Sequence, residues 1–363
     1  MKNIPKVLII QPALPKYRIS LFNELNKLLP DSSLLILAPS NDENGVHSIT
    51  DGAEFNFTIT SQSKHKLGFS WQPKAISFIR ELKKGDILVT SGNPRYIFNI
   101  LFSLTAKLRG VKIIWWGQAR SAKTTKLSLS TKIKFMHIFD LVLLYTEKEA
   151  RLLSRLTKLK SIHYLNNGIN NKEILTLRTP YDARERDNRI LFLGRLTEKS
   201  DFPLLLEALS RTTNVALDVI GGEPGSEILT TIKNLDLSEK IKFHGMITDE
   251  KAIAQIANNC KFFIYPGAVG LSLIHAFNYG LPALIHDNKK NHMPEASSFR
   301  ELINGISFKQ HSARSLAEKI DTMVSSDILL NQLSLNAIKV SKSNYNTESM
   351  AKNFYAAITS LKH

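Results

Sequence analysis

Short apolar runs alternate along the chain with longer segments in which apolar residues recur at helical spacing. The runs that predict strands in the first half lie at residues 7–10, 34–38, 86–90, 111–116 and 141–145. Those in the second half lie at 189–193, 216–220, 241–244, 262–265 and 283–286. Continuous apolar strands between helices are typical of parallel sheets that are covered on both faces. Two such sets in tandem predict an α/β protein with two doubly wound domains.

Turn-forming residues and alternating charges separate the two sets between residues 166 and 188. The stretch contains Asn166-Asn167-Gly168, Thr179-Pro180 and a charged run over 182–187, which are linker signals. We therefore expect an N-terminal domain over residues 1–168 and a second domain over 169–345. Residues 346–363 have apolar side chains at helical spacing, so they predict a final helix that must dock on one of the domains.

The composition, with 43% hydrophobic, 8% aromatic and 22% charged residues, is that of a globular protein. Disordered, collagenous and coiled-coil chains are excluded as the main class. The single cysteine, Cys260, excludes a disulfide framework and a cysteine-based metal site, and it fits a reducing cytoplasm. No apolar run approaches the ~20 residues of a spanning helix, so we expect a cytoplasmic protein that is not integral to a membrane.

The excess of basic over acidic residues lies almost entirely in the first half of the chain. Residues 1–165 contain 25 lysines and arginines against 11 acidic residues, whereas the remainder contains 23 against 21. This asymmetry predicts an anionic partner, either nucleic acid, an anionic lipid surface or a phosphorylated substrate, and a basic surface without a specific partner is the alternative. The sequence has no zinc-finger spacing, RNA-recognition signature or basic low-complexity arm, so we do not expect nucleic acid as a partner.

Glycines and cations follow two strands of the second half, at the ends where ligands bind in open α/β sheets. Gly194, Arg195 and Lys199 follow one strand, and two cations there suit a diphosphate, although solvated surface charges have the same spacing. Gly221 and Gly222 follow the next strand and would let a phosphate approach the backbone, although a plain tight turn explains them equally well. The glycine spacing does not fit a dinucleotide-binding fingerprint or a P-loop.

A glycine-containing loop and the start of a helix follow the strand at 262–265. The loop spans residues 267–270, and the helix begins near Leu271 and stops at Gly280 and Pro282. Backbone N–H groups of the loop and of the first helical turn can face an anion. His275 lies within this helix, where it serves either the site or the packing of the helix.

Four motifs in this order resemble family 4 of the GT-B glycosyltransferases. They are Gly-Arg-Leu-x-x-Lys at 194–199, Gly-Gly-Glu-Pro at 221–224, Phe-His-Gly at 243–245 and Gly-Leu-Ser-Leu-Ile-x-Ala-x-x-x-Gly-x-Pro at 270–282. Weaker matches in the first half are Pro-x-Tyr-Arg at 15–18, Trp-Gly-Gln at 116–118 and Asn-Gly-Ile at 167–169. The resemblance implies two facing Rossmann-like domains, with the final helix crossing back to the first. It also implies retaining transfer of a sugar from a nucleotide diphosphate sugar, without a cofactor or a dedicated metal.

The resemblance assigns the sugar nucleotide mainly to the second domain. Arg195 and Lys199 are the expected catalytic cations, because positive charge at the diphosphate stabilises the leaving nucleotide. The other expected donor-binding residues are Gly194, Gly222, His244, Gly267, Ala268, Val269, Gly270, Leu271, Ser272 and His275. The residues expected on the acceptor or sugar side are Tyr17, Arg18, Gln118 and Arg120.

This chain departs from the family pattern at several positions. The two glutamates of the family signature map onto Gly267 and His275, and the usual diphosphate lysine maps onto Ser200, so Lys199 would act only in a shorter loop. The loop after the first strand lacks glycine, and Gln118 replaces a frequent histidine. The combination of 267–275 with His-Asp-Asn at 286–288 and Met-Pro-Glu at 293–295 resembles a subgroup that carries such replacements. A sugar-nucleotide epimerase and a non-catalytic nucleotide-sugar-binding relative are the alternatives on the same fold.

Residues 120–139 predict a basic amphipathic segment, with Arg120, Lys123, Lys126, Lys132 and Lys134 among Leu127, Leu129, Ile133, Phe135 and Met136. Together with His65, Lys66, Phe69 and Trp71 it predicts contact with an anionic membrane, and the alternative is that its apolar residues belong to the core. Many members of the family extend lipid-linked oligosaccharides. The resemblance therefore implies a peripheral enzyme on the inner face of the plasma membrane that extends a lipid-linked glycan acceptor in bacterial O-antigen, lipopolysaccharide or capsule synthesis.

Overall fold

The computed structural model describes residues 5–42, 47–60, 63–66, 69–120, 125–159 and 161–362. The chain divides into two compact units, one made of Met1–Asn170 with Thr347–His363 and the other of Asn171–Asn346. Each unit is built on its own parallel sheet. This confirms the predicted α/β fold with two doubly wound, Rossmann-like units.

The first unit contains nine strands and five helices before its C-terminal segment, counted over the described residues. The strands are β1 (Val7–Ile10), β2 (Leu34–Pro39), β3 (Asn56–Thr60), β4 (Lys64–Lys66), β5 (Phe69–Trp71), β6 (Ile87–Ser91), β7 (Lys112–Gly117), β8 (Leu141–Leu144) and β9 (Ile162–Tyr164). The helices are α1 (Lys16–Leu28), α2 (Ala75–Glu81), α3 (Ile97–Leu108), α4 (Lys126–Met136) and α5 (Glu147–Leu156). Seven strands form a parallel sheet in the order β3-β2-β1-β6-β7-β8-β9, and β4 pairs with β5 antiparallel.

The second unit contains a six-stranded parallel sheet in the order β12-β11-β10-β13-β14-β15. Its strands are β10 (Arg189–Leu193), β11 (Ala216–Ile220), β12 (Ile241–Phe243), β13 (Phe262–Tyr265), β14 (Ala283–His286) and β15 (Gly305–Phe308). Its helices are α6 (Lys172–Leu177), α7 (Phe202–Leu209), α8 (Ser226–Asn234), α9 (Glu250–Ala257), α10 (Leu271–Asn278), α11 (Ala313–Val324) and α12 (Asp327–Asn344).

The strand β1 shows why these strands are apolar at every position. All four of its residues are buried. Val7 and Ile9 pack into the core on the side of α1, whereas Leu8 and Ile10 pack into the core on the side of α2 and α3. A strand with helices on both faces has no solvated side, so the alternation of polar and apolar residues disappears.

Each of the ten runs predicted as strands contains a strand in the structure. The apolar pattern did not predict β3, β9 and β15, which are all edge strands of the two sheets. It did not predict the separate pair of β4 and β5 either. The missed edge strands are short or contain polar residues, as in Asn-Phe-Thr-Ile-Thr of β3. An edge strand has one neighbour instead of two, so its sequence carries a weaker apolar signal.

The predicted final helix is α13 (Thr347–Thr359), and it belongs to the first unit. Phe354 and Ile358 share a core with Phe22 and Leu25 of α1. The ring of Phe354 meets that of Trp116 edge to face, with centroids 5.1 Å apart. The first-unit core is therefore completed by residues from the far end of the chain. None of the helices in the part of the chain that the structure describes combines the length and hydropathy that crossing a membrane requires.

Candidate functional site

In the sheet of the second unit, the order in which strands are added reverses between β10 and β13. The strands β11 and β12 extend the sheet on one side of β10, whereas β13, β14 and β15 extend it on the other. The loops that follow β10 and β13 therefore diverge at the carboxyl edge, and ligands of open α/β sheets bind at such a point. These are the loops 194–201 and 266–270, which contain most of the predicted donor-binding residues.

The two loops are held together by backbone contacts. The N–H of Ala268 donates to the carbonyl oxygen of Lys199 at 2.9 Å. A β-carbon on Gly267 would lie 2.1 Å from the same oxygen and 2.6 Å from the carbonyl carbon of Ser200. Gly267 is thus required for this close approach. Position 267 is therefore a place where the two backbones pack against each other.

Ser200 lies inside the turn that follows β10 and is fully buried. Its hydroxyl donates to the carbonyl of Thr197 at 2.6 Å, and the N–H of Thr197 donates to the same hydroxyl oxygen at 3.1 Å. Lys199 is exposed beside it. Ser200 is therefore engaged inside the turn, and Lys199 is an exposed cation of the same turn.

Arg195 is the second exposed cation at this edge. Its charge lies close enough to Tyr265 to act on that hydroxyl: burial raises the pKa of Tyr265, and Arg195 opposes the increase. Tyr265 stacks on Phe192, with ring centroids 5.0 Å apart, and fills the space that a side chain at Gly194 would need. The sequence analysis did not identify Tyr265 as a site residue, because an aromatic residue at the end of a buried strand has the pattern of a core residue.

Close backbone packing also explains the glycines after β10 and β11. Gly221 has φ +142° and a β-carbon there would lie 2.0 Å from the carbonyl oxygen of Gly194, so no other residue fits. Gly222 has open space around it within 4 Å. Gly194 and Gly221 therefore bring the loops together, whereas Gly222 leaves its backbone accessible to a ligand.

The helix α10 begins beside this packed loop. Its N-cap residue, Gly270, provides no side-chain hydrogen bond, so Leu271 and Ser272 start a helix without a side-chain cap. The carboxylate of Glu295 lies close to the same point, because its Oε2 is 3.7 Å from the β-carbon position of Gly270. Glu295 is 6% exposed. The sequence analysis did not assign Glu295 to the site, since the loop that carries it follows a different strand.

His275 does not stand alone in α10. Its Nε2 donates to Oε1 of Glu250 at 2.8 Å, and the hydroxyl of Tyr279 donates to the same oxygen at 2.5 Å. Burial opposes ionisation of Glu250, but the hydrogen bonds from His275 and Tyr279 outweigh it and lower the pKa of the carboxyl. Glu250 is the first residue of α9, which follows β12. The hydrogen bond to His275 thus brings a carboxylate of α9 next to α10.

His244 has a structural partner, which changes the role expected from the sequence. Its Nε2 donates to Oδ1 of Asp218 at 2.7 Å, and Asp218 also accepts two hydrogen bonds from Arg189. Burial opposes ionisation of Asp218, but these hydrogen bonds outweigh it and hold the pKa of the carboxyl below its usual value. The imidazole of His244 thus connects β12 to a buried ion pair between β10 and β11, and its Nε2 is not available to a donor.

In the first unit, Arg18 lies at the carboxyl end of the sheet. Its guanidinium lies over the ring of Trp116 at 4.3 Å and is 9% exposed. Burial lowers the pKa of Arg18, but the neighbouring hydroxyls of Tyr17 and Tyr145 outweigh this and raise it. Its Nη1 has no hydrogen-bond partner among the described residues. Tyr17 is half exposed at the start of α1.

Gln118 and Arg120 follow β7, the strand that ends beside Arg18. The main-chain carbonyl of Gln118 accepts a hydrogen bond from Nζ of Lys132, and Arg120 is exposed. The structure thus places Arg18 and Gln118 at the ends of strands of the same sheet. The described contacts do not join their side chains.

The segment expected to lie on a membrane is divided between core and surface, and its Leu127 is 79% exposed. Leu129, Met136 and Phe139 are buried, and the charged group of Lys132 turns inwards to Gln118. Lys123 lies outside the described residues. The alternative interpretation, that the apolar residues named for this segment belong to the core, holds for Leu129 and Met136 but not for Leu127. Apolar side chains are exposed elsewhere in this unit, at Phe69 (45%), Phe98 (41%) and Leu101 (47%).

Across the described ranges, no group of three or more histidine, cysteine or acidic side chains is arranged to hold a metal ion. Residues 174–340 match the family model described as "Glycosyl transferases group 1". The match covers most of the second unit. No curated relative matches the sequence.

Solved structures resemble the whole chain in fold. A glycosyltransferase from Rickettsia africae ESF-5 has a TM-score of 0.74 at 16% identity, with 98% of this chain and 99% of that chain covered. Anabaena HepE in complex with UDP has a TM-score of 0.73 at 14% identity, with coverage of 98% and 100%. The lipopolysaccharide outer core galactosyltransferase WaaB in its apo form has a TM-score of 0.71 at 16% identity, with coverage of 98% and 99%. These similarities show that the chain has the two-domain GT-B fold.

Proposed function

We propose that this protein is a retaining glycosyltransferase that transfers a sugar from a nucleotide diphosphate sugar to a glycan acceptor without a dedicated metal. The observation that carries the proposal is the carboxyl edge of the second sheet. There, two exposed cations, Arg195 and Lys199, lie on a loop that is packed against the glycine-containing loop before α10. The match of residues 174–340 to the group 1 family model and the UDP bound to Anabaena HepE support the same ligand class.

The diphosphate would bind to Arg195 and Lys199 and to the N–H groups at the start of α10. A planar guanidinium and an ammonium provide a forked and a point-like donor for phosphate oxygens. Negative charge grows on the leaving diphosphate as the glycosidic bond to the nucleotide breaks, so these groups stabilise the transition state more than the bound donor. In a retaining front-face transfer, the departing phosphate oxygen takes the proton of the acceptor hydroxyl.

The nucleoside would lie on the side of β12, where Glu250 and His275 form a hydrogen-bonded pair. Both side chains remain partly exposed, at 17% and 20%. The carboxylate of Glu250 retains acceptor capacity beyond its bonds to His275 and Tyr279, and ribose hydroxyls are suitable donors. Glu250 would thus take the place of the glutamate that the family signature carries at position 275.

The acceptor would bind to the first unit, which carries most of the net positive charge. Arg18, with its unsatisfied Nη1, is the group best suited to an anionic acceptor. We further propose that the acceptor is lipid-linked and that the protein works at the inner face of the plasma membrane, in the synthesis of a bacterial surface polysaccharide. The fold similarity to WaaB agrees with this setting.

The membrane contact would be made by an aromatic patch, defined as Phe69, Trp71, Phe98 and Leu101. The rings of Trp71 and Phe98 meet edge to face at 5.5 Å. Exposed aromatic residues beside a basic surface are typical of proteins that bind anionic bilayers. The buried side chains of Leu129 and Met136 leave less apolar surface on α4 for such a contact.

The test is a thermal-shift panel of UDP, GDP, CMP and ADP and their sugar conjugates, followed by product analysis with glycan acceptors. A ligand at ~100 times its Kd stabilises the native protein by about 2.7 kcal/mol. A selective shift by one nucleoside diphosphate and acceptor-dependent product would support the proposal. Turnover of the donor sugar without an acceptor would instead indicate an epimerase, and binding without any product would indicate a non-catalytic relative.

A further inference from the structure

A pair of stacked histidines lies directly behind the loop 267–270. His286 ends β14, and His292 lies in the loop that returns from it. Their rings are nearly parallel, at an interplanar angle of 11°, with centroids 3.7 Å apart. The residues around His292 make backbone contact with the donor loop, because the N–H of Met293 donates to the carbonyl of Val269 at 3.0 Å.

The hydrogen bonds of His292 define its protonation state. The N–H of Val269 donates to Nδ1 of His292 at 3.3 Å, so Nδ1 must carry a lone pair. Nε2 lies 2.9 Å from the carbonyl oxygen of His286, which can only accept, so Nε2 must carry the proton. The ring is therefore neutral in this arrangement. A second proton on Nδ1 would face the N–H of Val269 and replace a hydrogen bond with a repulsion.

The environment of the pair also disfavours charge. His286 is 2% exposed, and neither of its ring nitrogens has a hydrogen-bond partner among the described residues. Burial, followed by the neighbouring His292, lowers the pKa of His286 to about 4. Burial likewise lowers the pKa of His292. The charged or titratable groups that act on the pair are Asp287, which favours protonation, and His311, which opposes it at His286. Phe308 covers the edge of His286, and Glu295 lies near Gly270 on the loop side.

We propose that His292 is a positioning residue for the donor loop, and that it holds the N–H of Val269 and its neighbours in their binding geometry only while the stacked pair is neutral. The proposal rests on the function proposed above, because the loop serves the diphosphate. Protonation would break the bond to Val269 and release the loop. When the loop is released, His292 can be protonated below the usual pKa of a histidine, whereas in the packed loop it stays neutral. Lowering the pH therefore favours the released form over the packed form.

The sign of this effect distinguishes it from simple electrostatics. A histidine that acted only through its charge would attract the diphosphate more strongly once protonated, so donor affinity would rise in acid. The geometry predicts the opposite, because the bond lost at Val269 lies in the loop that must hold the donor. The pH dependence of affinity therefore tests positioning directly.

The first experiment needs no ligand. In isotope-labelled full-length protein, the amide signal of Val269 should move as the pH is lowered from about 7.5 to about 5, over the range in which histidines titrate. In His292→Asn, Oδ1 can accept the same bond but does not titrate, so the signal should stay in place. A Val269 signal that moves equally in both proteins would overturn the proposal.

The second experiment measures the affinity for UDP-glucose, whose diphosphate does not titrate in this range. Between about pH 7.5 and about pH 5, wild-type affinity should fall about tenfold, roughly the effect of one lost hydrogen bond. His292→Asn should lose the pH dependence, and His292→Ala should bind weakly at both values. His47→Asn, which removes an exposed histidine of the first unit, should behave as wild type.

Tighter binding by the wild type in acid would overturn the proposal. An unchanged pH dependence in His292→Asn would overturn it as well. If neither UDP-glucose nor any other nucleotide sugar binds at neutral pH, the proposed function fails, and the Val269 titration still decides the role of His292 by itself.

Discussion

Gly267 lies so close to the carbonyl oxygen of Lys199 that a β-carbon at Gly267 would be 2.1 Å from it. Gly267→Ala should therefore separate the two loops of the donor site. We expect a loss of about 2 kcal/mol in the free energy of unfolding, the usual cost of overpacking, and weaker nucleotide binding. Chemical denaturation and calorimetry measure the two effects. The matched control is Gly225→Ala, where nothing lies within 4 Å of the new carbon, and equal behaviour of the two variants would contradict the assignment.

Arg195→Ala and Lys199→Ala should reduce turnover by about a hundredfold or more each, because each removes a charge that stabilises the leaving diphosphate. Both side chains are exposed, so the melting temperature should stay near that of the wild type. Steady-state kinetics with the donor found in the thermal-shift panel provide the measurement. Arg314→Ala removes an exposed arginine of α11 and serves as control. Near-normal turnover in folded Arg195→Ala would refute the proposed role of Arg195.

Glu250→Gln should weaken the binding of UDP but not that of 2′,3′-dideoxy-UDP, if its carboxylate accepts hydrogen bonds from ribose hydroxyls. The lost charge-assisted bond corresponds to about tenfold in affinity. Calorimetry with both ligands on both proteins completes a double-mutant cycle, which isolates the contact from changes in packing. Glu227→Gln, at an exposed position of α8, is the control. Equal losses for the two ligands would show that Glu250 only supports His275 and Tyr279.

Asp218→Asn should destabilise the protein by about 3 kcal/mol at neutral pH, because it leaves Arg189 without its charged partner. The pKa of Asp218 is lower in the folded protein than in the unfolded chain. The contribution of Asp218 to the free energy of unfolding is therefore complete above its pKa in the unfolded chain. It is lost as the pH falls through its pKa in the folded protein. Denaturation curves at neutral and acid pH should show the variant and the wild type converging in acid. His244→Ala should also lower the stability of the protein and leave its nucleotide affinity unchanged. A large loss of affinity would instead indicate that His244 contacts the donor.

Phe98→Glu combined with Leu101→Glu should reduce sedimentation with anionic liposomes, because the change places two carboxylates on the aromatic patch. Leu127→Glu is the matched control, since Leu127 is 79% exposed but lies on α4, away from the patch residues in sequence. Binding by the wild type should weaken as salt is added. If the wild type does not bind liposomes at low salt, the proposed membrane contact is wrong. If both variants lose the same amount of binding, the loss reflects the added negative charge and not the aromatic patch.

The sequence by itself determined the two sheets and the loops that form the candidate site. Runs such as 7–10 and 262–265 are apolar at every position because both faces of the strands are covered, so the pattern and the structure have the same physical origin. Glycines, Arg195 and Lys199 at strand ends indicated the edge at which we propose that a ligand binds, since that edge follows from chain direction alone. Residues at the edges of the sheets, as in β3, carried too few apolar contacts to be recognised.

Only the tertiary structure decided what individual side chains do at that edge. Glu250 and His275 are 25 residues apart, and the hydrogen bond between them depends on how α9 and α10 pack. His244 is engaged because Asp218 of the neighbouring strand is buried beside it. The role of His292 depends on a loop that folds back onto Val269. Sequence spacing reports which face or end of an element a residue occupies, whereas a hydrogen bond between distant elements requires their relative placement, and that is a property of the packed chain.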